Sequence, residues 1–126
     1  MKKIVNSSDA PSPIGPYSQA VLLNNTLYCS GQVALDPKSG ALMIEDRSTE
    51  TNQVMKNLSA VLKEAGMDFS HVVKCSIFLK DMQDFKVVNE VYGTYFKSNP
   101  PARETVQVAA LPLNVNVEIS LIAVKP

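Results

Sequence analysis

The stretch VVKCSIFLKDMQDFKVVNEVYGTYFKSNPPARETVQVAA, residues 72–110, shows a strand pattern, a helix pattern and a second strand pattern in direct succession. Residues 72–79 are rich in β-branched and aromatic side chains, which is typical of a strand buried over most of its surface. Asp81 is the expected N-cap of the helix, in which apolar residues recur at helical spacing over 85–96. A proline pair then ends the helix, and a strand over 104–110 follows. Such a unit predicts a helix packed on one face of a sheet.

The remaining elements lie on both sides of this unit. Asn24-Asn25 predicts a hairpin turn, because asparagine tolerates a positive φ angle. Gly66 is expected to close the first helix as its C-cap. The flanking elements are strands over 20–23, 26–35 and 116–124 and a helix over 48–65. The order ββαβαββ predicts an α+β domain in which two helices pack on one face of a mixed sheet.

The composition is that of an ordinary globular domain. Of 126 residues, 45% are hydrophobic and 19% are charged, and the length fits a single domain over residues 1–126. Twelve Lys and Arg balance twelve Asp and Glu, so the formal net charge is zero. Non-specific binding to a phosphate backbone depends on positive charge. Nucleic acid is therefore not expected as the main partner.

The sequence shows no motif for a metal or a nucleotide cofactor. The single histidine, His71, has no Cys or His partner at ligand spacing, and the five glycines are isolated. Cys29 and Cys75 lie in apolar strand-like runs, where buried free thiols are expected more than a disulfide or a reactive thiol. We expect no cofactor and no metal.

The sequence also shows no recognisable targeting or membrane-spanning segment. The apolar run near the start is only Ile4 and Val5, which is too short for a secretion signal. No run approaches the roughly 18 apolar residues that are needed to span a bilayer. We therefore expect a cytoplasmic protein without membrane contact.

The last strand predicts a sheet with one covered face and one open face, because alternate residues of a strand point to opposite sides. The set expected under the helices is apolar and consists of Val117, Ile119, Leu121 and Ala123. The opposite set is half polar and half apolar and consists of Asn116, Glu118, Ser120, Ile122 and Val124. Another subunit would cover such a face, so we expect a homo-oligomer with clefts between chains.

Arg103 and Glu118 are the main candidates for chemistry. The Arg103 guanidinium can hold a carboxylate through two parallel hydrogen bonds, although a surface salt bridge is the commoner role of an arginine. Glu118 lies in a β-rich run that disfavours glutamate. Burial there would raise its pKa and suit it to proton exchange, and the alternative is an exposed edge position. The two side chains share a face only if odd residues of one strand lie opposite even residues of the other.

Three further positions are candidates for the wall of a binding site. Tyr17 follows Gly15-Pro16 in a turn and either offers its phenol as a hydrogen-bond donor or fills the core. Ser30-Gly31 lies within a strand, where glycine allows a close approach or marks a bulge. Asn89 lies beside the apolar stripe of the second helix, where it either satisfies buried backbone or contacts a ligand.

Four motifs together resemble the RidA (YjgF/YER/UK) family. They are APSPIGPYSQA at 10–20, LYCSGQVALDPKSG at 27–40, DFKVVNEVYGTYF at 84–96 and PPARETVQVAALPLNVNVEISLIAV at 100–124. They occur in the family's order and spacing over almost the whole chain. The resemblance implies a chorismate mutase-like fold assembled as a homotrimeric barrel, with sites in the clefts between adjacent subunits.

The resemblance also implies an activity and a set of site residues. The archetypal members are cytosolic 2-iminobutanoate/2-iminopropanoate deaminases, which hydrolyse imine and enamine intermediates released by pyridoxal-phosphate enzymes and need no cofactor of their own. Arg103 matches the arginine that binds the substrate carboxylate, and Glu118 matches the glutamate that holds water and exchanges protons. The other matching pocket positions are Tyr17, Ser30, Gly31, Asn89 and the backbone of Thr105.

Two positions depart from the family pattern, and two other functions stay open. Glu104 stands where a small residue is commoner and should point away from Arg103 on an ideal strand, while some members carry Cys at the position of Thr105. A carboxylate-binding or regulatory module without turnover would also use Arg103. Endoribonuclease or translation-inhibitor activity, reported for some relatives, fits poorly with zero net charge.

Overall fold

Six strands and two helices make up the fold of this computed structural model, which describes residues 1–126. The elements in chain order are β1 (Lys3–Val5), β2 (Ala20–Leu23), β3 (Thr26–Gln32), α1 (Arg47–Glu64), β4 (Val72–Leu79), α2 (Phe85–Gly93), β5 (Ala102–Gln107) and β6 (Val117–Val124). Neither helix is long and apolar enough to cross a membrane.

The strands form one mixed sheet in the order β1-β2-β3-β6-β4-β5. Only β4 and β5 run parallel, and α2 connects them, whereas every other neighbouring pair is antiparallel. Helix α1 packs on β3 and β6, and α2 packs against α1 on the same side of the sheet. The predicted α+β fold with two helices on one face of a mixed sheet is therefore confirmed.

Four element boundaries differ from the sequence expectation. β1 was not predicted, because a three-residue strand carries too little alternation to be recognised. β3 ends at Gln32, not at residue 35, because a register shift between Cys29 and Gln32 interrupts its pairing with β6. α2 ends at Gly93, not at residue 96, because the chain tightens there into i to i−3 hydrogen bonds. β5 covers Ala102–Gln107, not 104–110, because it is paired only as far as its neighbour β4 extends.

Helix α1 has well-formed ends. The Asp46 carboxylate accepts a hydrogen bond of 2.7 Å from the backbone N–H of Thr49, as an N-cap does. At the other end Gly66 has a φ of +72°, and the backbone N–H groups of Gly66 and Met67 donate to the carbonyls of Lys63 and Leu62. This is the Schellman arrangement. It confirms Gly66 as the residue that closes the helix.

Both predicted faces of β6 are confirmed by the burial pattern. The four side chains on the helix side are buried, namely Val117, Ile119, Leu121 and Ala123. Their neighbours on the other side are only half-buried. There a row of paired residues, Ile4, Val21, Tyr28 and Ile122, crosses four strands, and Tyr28 remains 49% exposed. One side of the sheet thus presents apolar side chains to its surroundings.

A fully buried carboxylate holds the start of β6. Glu50 of α1 accepts hydrogen bonds from the backbone N–H groups of Asn116 and Val117, at 2.8 and 3.1 Å, and from the Asn116 side-chain amide at 2.8 Å. Arg47 lies 3.3 Å from the same carboxylate. Because these donors immediately precede Glu118, the helix fixes the part of the strand that carries this side chain.

Replacing Glu50 by alanine should destabilise the protein. The Glu50→Ala variant leaves two backbone N–H groups without an acceptor, and each buried unpaired donor costs about 1–3 kcal/mol. We expect the free energy of unfolding to fall by at least about 2 kcal/mol in urea titrations at equal protein concentration. The control is Glu90→Ala, at an exposed glutamate of α2, which should change it by less than about 0.5 kcal/mol. Equal effects of the two variants would refute this role of Glu50.

Candidate active site

Arg103 lies on the helix side of the sheet, where α2 holds its guanidinium. An Nη atom donates a 2.7 Å hydrogen bond to the side-chain oxygen of Asn89. The guanidinium carbon also lies over two aromatic rings, 5.0 Å from the centroid of Tyr92 and 5.8 Å from that of Phe85. These contacts orient the group but use only one of its five N–H donors. Arg103 forms no ion pair within the chain, so the surface salt-bridge alternative is wrong.

Thr105 and Glu104 lie beside Arg103 on β5 but point in opposite directions. Thr105 faces the same side as Arg103, and its hydroxyl oxygen is buried without a hydrogen-bond partner in the chain. Glu104 faces the other side, where Lys74 lies 2.9 Å from its carboxylate and the Ser76 hydroxyl donates to it. The Lys74 and Ser76 hydrogen bonds lower the pKa of Glu104. Glu104 points away from Arg103, as expected.

Glu118 lies on the open side of the sheet, at the wall of a cavity of about 440 Å³. Tyr17, Ser30 and Gly31 line the same cavity. The carboxyl group is half-buried, and this burial raises the pKa of Glu118 above its ordinary value. The sequence expectation of a partly buried strand glutamate is therefore confirmed, whereas the exposed edge alternative is wrong because β6 is a central strand.

Gly31 gives the Glu118 side chain its place. A methyl group on Gly31 would lie 2.8 Å from the carboxyl carbon of Glu118, which is closer than carbon atoms approach. Gly31 also lies in the segment where the β3–β6 register shifts, so both alternatives for this glycine, a close approach and a bulge, are correct. Next to it, the Ser30 hydroxyl donates to the Ser18 carbonyl at 2.7 Å. Ser30 thereby ties down the loop that carries the half-exposed Tyr17.

The structure separates the candidate residues into two groups. Cys75 of β4 is paired with Arg103 on one side and with Leu121 on the other, whereas Phe78 is paired with Glu118. Odd residues thus lie opposite odd residues, and Arg103 and Glu118 point to opposite faces of the sheet. We call Arg103, Asn89 and Thr105 the arginine group, and Glu118, Tyr17, Ser30 and Gly31 the glutamate group. A small molecule cannot contact both groups of a single chain, because the sheet lies between them.

Sequence reasoning missed two sets of residues around these groups. Phe85 and Tyr92 were assigned only to the apolar stripe of α2, yet they also stack on the arginine. Their spacing with Asn89, at i, i+4 and i+7, was the available pattern. The other set is the apolar cavity wall, which loop residues form without periodicity; it includes Ile14, Val33, Leu35 and Leu113.

The remaining titratable groups offer no metal centre. No three His, Cys, Asp or Glu side chains come together as ligands for a metal ion. The two cysteines are free and buried, and burial raises the pKa of Cys29 to about 12. Thiolates are the reactive form of cysteine, so Cys29 is a poor nucleophile. The expectation of buried free thiols is confirmed.

A family model described as Endoribonuclease L-PSP matches residues 7–125. The chain belongs to this family. It is the family that the four sequence motifs indicate, since solved members of this fold carry the names RidA and YjgF. The endoribonuclease L-PSP model spans both groups of candidate residues.

Three members of the family show how similar the chain is to known proteins. The human protein named 2-iminobutanoate/2-iminopropanoate deaminase is 47% identical over 99% of this chain and 91% of its own length. The structure of RidA from an Antarctic Psychrobacter bacterium has a TM-score of 0.94 at 40% identity and covers 98% of this chain and 99% of that chain. The structure of E. coli TdcF with bound serine has a TM-score of 0.95 at 35% identity and the same coverage.

Gly31→Ala should displace the Glu118 carboxylate. The added methyl group overlaps the carboxyl group, so the side chain must move toward water, and its raised pKa should fall toward the ordinary value of about 4.3. An NMR titration of ¹³C-labelled glutamate carboxyls measures this shift. The control is Gly93→Ala, where no atom lies within 4 Å of the added group, and it should leave the titration of Glu118 unchanged. An unchanged Glu118 titration in Gly31→Ala would refute the contact.

Proposed function

We propose that the protein is a deaminase that hydrolyses 2-imino acids and their enamine tautomers, such as 2-iminobutanoate and 2-iminopropanoate, to 2-oxo acids and ammonia. The observation that carries the proposal is the pair of groups described above. One presents an oriented guanidinium with unused donors, and the other presents a half-buried carboxylate with a raised pKa beside a cavity. The name of the human relative states the same reaction.

Arg103 is proposed to bind the substrate carboxylate. Guanidinium and carboxylate groups form two parallel charge-assisted hydrogen bonds, and the contacts with Asn89 and Tyr92 orient Arg103 before a substrate arrives. Thr105 contributes its backbone and a buried hydroxyl without a partner. TdcF with bound serine supports this recognition, because serine also carries a carboxylate.

Glu118 is proposed to handle the protons of the reaction. Its carboxylate takes a proton from the attacking water as the new C–O bond forms at the carbon of the protonated imine, and the C=N electron pair moves to nitrogen. Glu118 then returns the proton to nitrogen. As the C–N bond breaks, the hydroxyl of the intermediate loses its proton and becomes the carbonyl of the 2-oxo acid, and ammonia leaves. Tyr17 lines the same cavity and offers a hydrogen-bond donor to the substrate.

The proposed site is shared between two copies of the chain, as in the homotrimer that we propose for this protein. The sheet separates the arginine group from the glutamate group, so a second copy has to supply the missing group. The apolar row on the open face supports such an assembly, because water contact with those side chains is unfavourable. A head-to-tail arrangement closes into a ring with one site at each junction.

A reducing compartment such as the cytoplasm fits this function, because both cysteines are free. The family model carries the name of an endoribonuclease. The neutral chain and the partly apolar cavity favour a small carboxylate over an RNA backbone as the substrate. A carboxylate-binding module without turnover is distinguished by the rate measurement that follows.

The direct test generates 2-iminobutanoate in place with a threonine dehydratase and follows 2-oxobutanoate formation with and without this protein. We expect clear acceleration over the spontaneous reaction. Arg103→Ala should lose about 10²-fold or more in kcat/KM, because a desolvated charged pair of hydrogen bonds is lost. The control is Lys86→Ala, an exposed cation of α2 outside the arginine group, which should retain the wild-type rate. No acceleration by the wild type, or full activity in Arg103→Ala, would refute the deaminase proposal.

The rate should also depend on the protonation of Glu118. The substrate carboxylate neutralises the arginine in the loaded site, so burial dominates the pKa of Glu118 and keeps it raised. Because the carboxylate form takes the proton from water, kcat should fall as the pH decreases through an apparent pKa above about 4.3. Spontaneous hydrolysis is subtracted at each pH. Glu118→Gln should lose about 10²-fold or more in kcat and show no such limb; a limb that persists in this variant would contradict the assignment.

A further inference from the structure

The cavity beside Glu118 is larger than the smallest substrates require. 2-Iminobutanoate has seven non-hydrogen atoms, and at roughly 30 Å³ for each, the share of a water molecule in the liquid, it fills about 210 Å³. The cavity measures about 440 Å³. About half of it therefore remains beyond the reacting carbon, the carboxylate and the nitrogen of such a substrate.

The part of the cavity away from Glu118 is apolar. Its wall includes four aliphatic side chains from three separate loop segments, namely Ile14, Val33, Leu35 and Leu113. Ile14 is 75% exposed and Leu113 is 48% exposed, so neither is needed to fill the core. Two apolar side chains held at the mouth of a cavity gain most when an apolar group binds between them.

Leu113 adopts a backbone conformation that is unfavourable for leucine. It has φ = 57° and ψ = 18°, in the left-handed region that branched side chains rarely occupy. The turn is fixed on both sides, because Asn114 donates from its backbone to the Leu111 carbonyl and accepts 2.9 Å from Lys80 through its side chain. Strained residues that persist in a fixed turn are common at ligand-binding sites.

The opposite walls are held rigidly as well. The buried amide of Asn57 donates to the carbonyls of Val33 and Leu35, at 3.0 and 2.9 Å. The buried amide of Gln19 donates to the carbonyls of Ser7 and Pro11, at 3.0 and 2.9 Å, and so fixes the segment that leads to Ile14. Both apolar walls are therefore in place before a ligand arrives, which lowers the entropic cost of binding.

We infer that this apolar part of the cavity is a subsite for the substrate side chain, and that it gives the protein a preference for 2-imino acids with aliphatic side chains of leucine size over those derived from alanine. Leu113 and Ile14 are the specificity-determining residues. The inference rests on the proposed deaminase function and names the substrate class of that site.

The test compares two imines generated in place by an L-amino-acid oxidase, one from leucine and one from alanine, with semicarbazide trapping to follow their lifetimes. Since one additional methylene in an apolar pocket changes kcat/KM by about tenfold or more, we expect the wild type to favour the leucine-derived imine by at least about tenfold. Leu113→Asn should reduce this ratio about fivefold or more. Asparagine tolerates the left-handed conformation, so the variant keeps its turn.

The matched control is Val87→Asn, which removes a partly exposed aliphatic side chain of α2 far from this cavity wall and should keep the wild-type ratio. Calorimetry of the products gives a readout without turnover: 4-methyl-2-oxopentanoate should bind at least about tenfold more tightly than pyruvate. Acceleration of both imines with a ratio near one refutes the subsite and leaves the proposed function standing. Acceleration of neither refutes the proposed function. An equal drop in the ratio for Leu113→Asn and Val87→Asn refutes the role of Leu113.

Discussion

Side-chain alternation across three neighbouring strands determines where the two halves of the site lie. β4 is paired with β5 on one side and β6 on the other, and Cys75 stands opposite both Arg103 and Leu121. Because Leu121 is buried under the helices, Arg103 faces the helices, while Glu118 faces the open side. A shift of one residue in either pairing would reverse one of these directions and expose a buried apolar row. The register is therefore fixed by the core, and the separation of the site follows from it.

The local features of each half prepare it for a partner. On one side α2 stacks aromatic rings on the guanidinium and leaves most of its donors unused. On the other side Glu50 anchors the start of β6, and the missing side chain of Gly31 leaves room for the Glu118 carboxyl group. Neither half is a complete site for an imino acid. The oligomer is, in this view, a requirement of the chemistry as well as a cover for the open sheet face.

Most of the fold follows from patterns in the sequence, whereas the assembly of the site does not. Helix spacing, the Gly66 cap and the alternation in β6 depend on neighbours along the chain, so the sequence shows them directly. The relative direction of Arg103 and Glu118 depends on strand pairing, which residue patterns leave open. The cavity wall comes from loops without periodicity, and the short β1 has too few residues for a pattern. Motifs that match a known family identified the residues, but the structure shows that they belong to two surfaces.

The shared site can be tested directly by mixing two inactive variants. Arg103→Ala and Glu118→Ala subunits, each inactive alone, are coexpressed in equal amounts, and the rate of 2-iminobutanoate hydrolysis is measured on the mixed oligomers. In a head-to-tail ring assembled at random, about one quarter of the sites receive an intact arginine from one subunit and an intact glutamate from its neighbour. A site shared between subunits therefore predicts recovery of about a quarter of the wild-type rate. No recovery from oligomers that demonstrably contain both variants would contradict it.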